Sequence, residues 1–269
     1  MLTTGMLTTG RRRPRQSLGN SGSRGYSRES QSFGKVAFGR VAVPSPVAPA
    51  EIEVIVSVPF MENTLIVRRP GRRDCLVVDP GFQPEKIIRS LQSNDLAPSA
   101  ILLTHGHADH IAGNAALRQE WPALPILIGA GDAAMLTDPR ANLSALGGVN
   151  VTSPSADRLL VEGDRVEAAG FEFDVLDLPG HSPGHIVYLL QTESPFIVLG
   201  GDVLFQGSIG RCDFPGGSQK LLVGGIRKKL FPLADDTIVY PGHGAPTTIG
   251  HERRTNPFCG KNAGLFDIE

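Results

Sequence analysis

The sequence predicts an α+β protein in which packed β-sheets are covered by helices. Three observations carry this. From residue 51 onward, strand-length apolar runs are punctuated by Gly and Pro. Between them lie segments whose apolar residues recur at helical spacing. Five of the seven histidines fall in three short segments, each at the end of an apolar run and beside a glycine.

Taken in order, residues 52–58, 64–67 and 75–78 read as strands. Pro84 opens a helix in which Ile87, Ile88 and Leu91 share one face. Residues 101–103 form a short buried strand, and the first histidines begin two residues later. Residues 110–121 predict a helix, 126–128 a strand and 132–136 another short helix. Phe171, Phe173 and Val175 alternate with Glu172 and Asp174, as in a half-buried strand that runs on through Leu178 to Pro179-Gly180-His181. Residues 186–190 and 196–199 are the next strands, the second leading to Asp202. Residues 221–230 predict a helix that Gly224-Gly225 weakens. Residues 238–240 form a strand ending at Pro241-Gly242-His243.

Composition sets the outer bounds. The 269-residue chain is 41% apolar, enough to bury a substantial core. Its longest apolar runs are of strand length, so neither a membrane span nor a membrane partner is expected. Cys75, Cys212 and Cys259 lack close pairing or zinc-finger spacing, which favours a reducing compartment. The formal net charge of −1 conceals an asymmetry: residues 1–50 carry eight basic residues and one acid, Glu29, whereas the remainder carries a net −8. The first fifty residues are rich in Ser and Gly, begin with a repeat of Met-Leu-Thr-Thr-Gly, and hold too few large apolar residues to build a core. They read as a basic extension, either an organellar transit peptide (plastid or mitochondrion) or an untargeted tail on a cytoplasmic protein. Arg11-Arg12-Arg13 has no interleaved aromatic residues and the following domain is acidic, so no nucleic-acid partner is expected. Residues 51–269 form the catalytic domain of this reading.

The chemistry lies in Thr104-His105-Gly106-His107-Ala108-Asp109-His110, Gly180-His181, Gly201-Asp202 and Gly242-His243-Gly244. Imidazole and carboxylate hold zinc, iron or manganese. Residues i and i+2 at a strand end point to one side, so His105 and His107 can grip one ion together. Asp109 and His110, at the turn into a helix, can face a second ion, although Asp109 could instead cap that helix. His181, Asp202 and His243 each follow a strand and can reach the same sheet edge. Seven ligands suit two ions that share a carboxylate. His185 reads as a residue supporting this site, and His251 as surface or helix-cap chemistry.

His105-Gly106-His107-Ala108-Asp109-His110 resembles the His-x-His-x-Asp-His signature of the metallo-β-lactamase fold, with His181, Asp202 and His243 in the expected order. Gly180 to His185, Asp202 to Arg211, and Tyr240-Pro241-Gly242-His243-Gly244 with Thr247 to Gly250 after it resemble the glyoxalase II-like branch. The resemblance covers about residues 51–262 and implies a four-layer αββα sandwich with the site at one edge. It implies that His105, His107 and His181 bind one divalent ion, that Asp109, His110 and His243 bind another, and that Asp202 bridges them. Zinc is expected, with iron or manganese also accepted by these ligands.

The implied activity is hydrolysis of a small-molecule thioester such as S-lactoylglutathione, by a metal-bridging hydroxide that Asp109 also orients. A thiolate leaves without much help from an acid. Twenty-six residues follow His243, so the chain resembles the shorter, single-domain hydroxyacylglutathione hydrolase type. The loop after Asp202 has Arg211 and Asp213 where the two-domain enzymes place Lys and Tyr. Arg211 is therefore a candidate for binding a substrate carboxylate, or else for an ion pair with Asp213. Cys212, near the same mouth, is a candidate redox-sensitive thiol or a half-buried loop residue. The other readings are a persulfide dioxygenase using one iron, a lactonase, a β-lactamase or a nuclease of the same fold, or a non-catalytic binding module.

Overall fold

The computed structural model describes residues 49–263, so nearly all of the basic extension, with its targeting reading, lies outside the described residues. The chain runs β1 (Glu51–Ser57), β2 (Glu62–Arg68), β3 (Asp74–Val78), α1 (Pro84–Ser93), β4 (Ala97–Leu102), α2 (Ala108–Ile111), α3 (Asn114–Glu120) and β5 (Ile126–Gly129). Two 3₁₀ segments (Ala130–Leu136 and Ser144–Gly147) precede β6 (Arg158–Leu160), β7 (Arg165–Ala168), β8 (Phe171–Asp177), β9 (Ile186–Leu190) and β10 (Ile197–Gly201). A small hairpin, β11 (Leu204–Phe205) and β12 (Ser208–Ile209), leads to α4 (Gln219–Gly225), β13 (Ile238–Pro241), β14 (Thr247–Thr248) and α5 (Ile249–Thr255).

The strands form two six-stranded sheets, ordered β1-β2-β3-β4-β5-β6 and β14-β13-β10-β9-β8-β7. Side-chain alternation explains why they stack. In β3, Leu76 and Val78 face the space between the sheets while Cys75 and Val77 face α1 and α3. In β9, Ile186, Tyr188 and Leu190 face inward, and Val187 and Leu189 pack against α4 and α5. Three apolar layers thus separate four structural layers, which is the αββα sandwich. Among the described residues no helix is long and apolar enough to cross a membrane.

Three expected helices differ in detail, the one expected over 132–136 being the 3₁₀ segment Ala130–Leu136. The helix expected over residues 110–121 is two helices, α2 and α3, broken at Gly113. There the Gly113 N–H donates to the Pro80 carbonyl (2.8 Å) rather than to the helical ladder, which docks the segment on the end of β3. The helix expected over 221–230 begins two residues earlier, with Ser218 accepting from Leu221 N–H as its cap, and passes into a π-type turn over Ile226–Leu230.

A polar tie crosses between the sheets where the site begins. Tyr188 is fully buried in β9 and its hydroxyl donates to the carbonyl of Leu103, just past β4 (3.0 Å). Replacing Tyr188 with Phe leaves that carbonyl unpaired in the core. The change should cost about 1–3 kcal/mol of unfolding free energy, read as a lowered urea midpoint with an unchanged slope.

Candidate metal centre

The ends of β4, β8, β10 and β13 meet at one edge of the sandwich, and each delivers ligands from the turn that follows it. After β4 come His105, His107 and then α2 with Asp109 and His110; after β8 comes His181; Asp202 follows β10, and His243 follows β13. Close packing is required here. A side chain at Gly242 would collide with the Asp202 carboxylate and the His110 ring, so glycine is what lets the His243 turn approach.

All seven side chains converge. The His107 Nδ1 lies 2.8 Å from His181 Nε2, which lies 3.3 Å from His105 Nε2. In the second group, Asp109 Oδ2 lies 3.4 Å from His243 Nε2 and 3.9 Å from His110 Nε2. Each trio offers ligand atoms within 4.8 Å of one another, close enough to hold one ion. Asp202 stands between them: Oδ2 is 3.4 Å from His181 Nε2 and 3.5 Å from His243 Nε2, and Oδ1 is 3.5 Å from His110 Nε2. Asp109 does not cap α2, since His107 occupies the cap position and Asp109 turns its carboxylate toward His243.

Hydrogen bonds behind the rings decide which nitrogens face the site. A backbone carbonyl can only accept, so His181 Nδ1 donates to Arg211 O (2.9 Å) and His243 Nδ1 to Phe60 O (3.1 Å). Both leave Nε2 free to ligate. His110 Nδ1 donates to Asp79 (3.2 Å), and Thr104 donates its hydroxyl to the same carboxylate (2.6 Å) while standing 3.1 Å from His105 Nδ1. The His110 Nε2 and Asp202 Oδ1 atoms are buried without a hydrogen-bond partner. A nitrogen and a carboxylate oxygen left without hydrogen-bond partners 3.5 Å apart, in an all-imidazole and carboxylate set, fit a pair of divalent cations.

The electrostatics agree. Burial, with His181 and His110 alongside, pushes His107 down to about 3, and burial with the neighbouring histidines lowers His105. Both rings are therefore neutral at physiological pH, as ligation requires. Burial acts against charge at Asp109, but His110 and His243 outweigh it and hold that carboxyl below its usual range. Burial likewise opposes charge on His110 and His243, yet Asp202 and Asp109 raise both. The carboxylates draw positive charge into the second group.

Two positioning residues escaped the sequence reading. Asp79 accepts from Thr104 N–H (2.8 Å), the Thr104 hydroxyl and His110, so it braces histidines of both groups. Asp132 is fully buried and accepts from Gly106 N–H (3.1 Å), the Ser182 hydroxyl (2.5 Å) and Gly184 N–H (2.6 Å). It clamps the His105–His107 turn to the His181 turn. A signal like the one that marked the histidines, a polar residue after an apolar run with glycine within two residues, is present at both: Val77-Val78-Asp79-Pro80-Gly81 and Ile128-Gly129-Ala130-Gly131-Asp132.

His185 supports the site from beneath. Its ring stacks on His105 (4.9 Å between centroids), and its Nε2 accepts from Asp202 N–H (3.1 Å). Arg211 lies at the mouth, doubly bonded to Asp213 (2.8 Å each) and stacked 4.0 Å over Phe214. Burial and Asp213 push the Cys212 thiol up, and it donates to the Gly210 carbonyl (3.3 Å), which is not the environment of a reactive thiolate. His251 is exposed on α5, whose cap is Thr248. His107, Asp109, His181, Asp202 and His243 open onto a cavity of about 660 Å³.

Comparison with known proteins gives consistent likenesses. The model of the metallo-beta-lactamase superfamily matches residues 57–243. The hydroxyacylglutathione hydrolase GloC of Haemophilus influenzae is 37% identical over 208 residues, covering 77% of this chain and 97% of that protein. The crystal structure of the BLEG-1 B3 metallo-beta-lactamase superposes with a TM-score of 0.74 at 38% identity, covering 78% of this chain and 99% of that one. That of TTHA1623 in a di-iron-bound form gives 0.68 at 37% identity, covering 77% and 99%.

The clamp formed by Asp132 should show in metal affinity. Asp132→Ala frees three donors behind the first trio and is expected to weaken metal binding by roughly 10- to 100-fold. Competition against a chromophoric chelator measures this; unchanged affinity would remove Asp132 from the support of the site.

Proposed function

This chain belongs to the metallo-beta-lactamase superfamily and is a metallo-hydrolase of that fold, and from that premise we propose that it hydrolyses a thioester, with S-lactoylglutathione the substrate to test first. The observation that carries the reading is Asp202, whose carboxylate lies within 3.5 Å of nitrogens from both ligand groups at the wall of one cavity. His105, His107 and His181 would hold one cation, Asp109, His110 and His243 the other, and Asp202 would touch both. Two cations so held would supply Lewis acidity, to lower the pKa of a bound water and to polarise a carbonyl oxygen. Zinc is the metal we propose, given imidazole and carboxylate donors.

The chain's own groups favour a thioester over an amide or ester. Among the described lining residues, the only charged side chain outside the ligand set is Arg211, which Asp213 already engages. No free carboxylic acid or lysine there stands ready to protonate a departing amine or alkoxide. A thiolate, whose conjugate acid has a pKa near ~8.5, departs without one. Asp109, ionised and partly exposed to the cavity, is placed to accept a hydrogen bond from the attacking water. The near-complete coverage of GloC supports the same reaction class.

Metal-replete protein should hydrolyse S-D-lactoylglutathione, lose the activity to a chelator and regain it with zinc. Asp202→Ala should lower turnover by more than about a hundredfold and reduce bound metal; full metal and full turnover in that variant would sink the assignment. Iron at one per chain, with oxygen consumption on a persulfide and no hydrolysis, would replace this reading with the dioxygenase one.

A further inference from the structure

The cavity beside the metal groups has a polar floor and apolar walls. One wall is the segment after residue 141, which is fixed rather than loose. The Asn142 side-chain amide donates to the carbonyls of Met135 (3.0 Å) and Val151 (2.9 Å), and its Oδ1 accepts from the Ser144 hydroxyl (2.7 Å). Its own carbonyl accepts from Ala108 N–H (3.0 Å), tying the segment to the ligand-bearing turn. Leu143 is held in the left-handed region (φ 69°), unusual for a branched side chain. From this pinned turn Leu146, 77% exposed, and Val149, 51% exposed, stand over the cavity.

Another part of the lining is aromatic. Phe60, 56% exposed, packs 5.6 Å from Phe82 and is anchored to the site because its carbonyl receives the His243 Nδ1 proton. Beside the ligand rings, the Phe205 ring lies 6.2 Å from the His243 ring and the Phe214 ring 5.6 Å from that of His107. An aromatic ring therefore flanks each ligand group, so a carbonyl placed between them meets apolar surface on either side. Apolar side chains held open to water beside a reaction centre release that water when an apolar ligand docks. Charge points the same way. A glutathionyl group brings two carboxylates, and the one cation among the described lining residues, Arg211, is paired with Asp213 and stacked on Phe214.

We propose that the cavity selects thioesters with an apolar acyl group longer than lactoyl, on an uncharged thiol, over small polar acyl groups carried by glutathione. The inference rests on the thioester-hydrolase reading and names the substrate class of that same site. In the reaction a water oxygen bonds to the acyl carbon and the C–S bond breaks with its electron pair on sulfur. The products are the carboxylic acid, ionised in solution, and the thiol, protonated from the water consumed.

The test is a series of N-acetylcysteamine thioesters, acetyl, butyryl, hexanoyl and octanoyl, against S-D-lactoylglutathione with the metal-replete full chain. The expected result is a kcat/KM that rises roughly two- to fourfold for each methylene and an octanoyl thioester that surpasses S-D-lactoylglutathione. Leu146→Asp, at a largely exposed position that leaves the fold intact, should cut the octanoyl value about tenfold more than the acetyl value. A flat series with S-D-lactoylglutathione preferred overturns the inference while thioester hydrolysis stands. If no thioester is turned over, the functional reading fails and calorimetric titration with acetate and octanoate decides the inference. Octanoate binding many-fold tighter upholds the apolar pocket; equal affinities overturn it.

Discussion

The Asp202 carboxylate is the point on which two sheets must agree. His105, His107, Asp109 and His110 arrive from the sheet that contains β4, whereas His181, Asp202 and His243 arrive from the sheet that contains β8, β10 and β13. Contacts of 3.4–3.5 Å between Asp202 and His110, His181 and His243 exist only if the sheets stack in one register. The fixing bonds lie where that register is set. Asn63 of β2 donates its N–H to Gly242 O (2.7 Å) and its amide to the carbonyls of Pro241 (3.0 Å) and Gly244 (2.8 Å), pinning the His243 turn to the other sheet. Ile186 N–H donates across to Thr104 O (2.9 Å). The seam between sheets and the site are one structure.

Burying this many ionisable groups at a seam is costly unless each has a partner. Asp79 and Asp132 answer that cost with three donors apiece, and in doing so they orient the ligands. Asp202 and Asp109 are different, because their nearest neighbours are imidazoles that they pull toward protonation. His105 and His107 are pushed the opposite way by burial. One half of the site thus favours neutral rings and the other half favours positive charge. Divalent cations would satisfy both at once, taking neutral imidazole on one side and offsetting carboxylate charge on the other.

Much of this was legible in the sequence because the signals were local. Alternation in Phe171, Phe173 and Val175 marks β8, and the short buried runs at 101–103 and 186–190 mark β4 and β9. The seven ligand candidates stood out by chemistry and spacing, and the structure brings all of them together. What stayed hidden depends on tertiary partners. The break at Gly113 exists because the Pro80 carbonyl, in the turn after β3, competes for its N–H. Strands β6, β7 and β14 are short, and pairing with longer neighbours rather than their own pattern makes them strands. Asp79 and Asp132 carry the same run-end signal as the histidines, yet a carboxylate beside glycine is ordinary in turns, and only the donors converging on it reveal its task.

The site also separates reaction from selection. The groups that would hold cations and steer water are buried, braced from behind by backbone carbonyls and carboxylates, and tolerate little change, as the collision of any side chain at Gly242 illustrates. The groups that would choose the substrate, Phe60, Leu146 and Val149, are exposed and sit on turns whose own backbone carbonyls, at Phe60 and Asn142, bond the ligand segments. Substitution at those side chains should alter what the cavity prefers to bind while leaving in place the backbone carbonyl that sets the His243 tautomer. The fold thereby fixes the chemistry in the seam between sheets and leaves specificity to the loops above it. Likeness in sequence and fold to GloC and to the di-iron structure does not describe the walls of this cavity, which must be read from this chain's own residues.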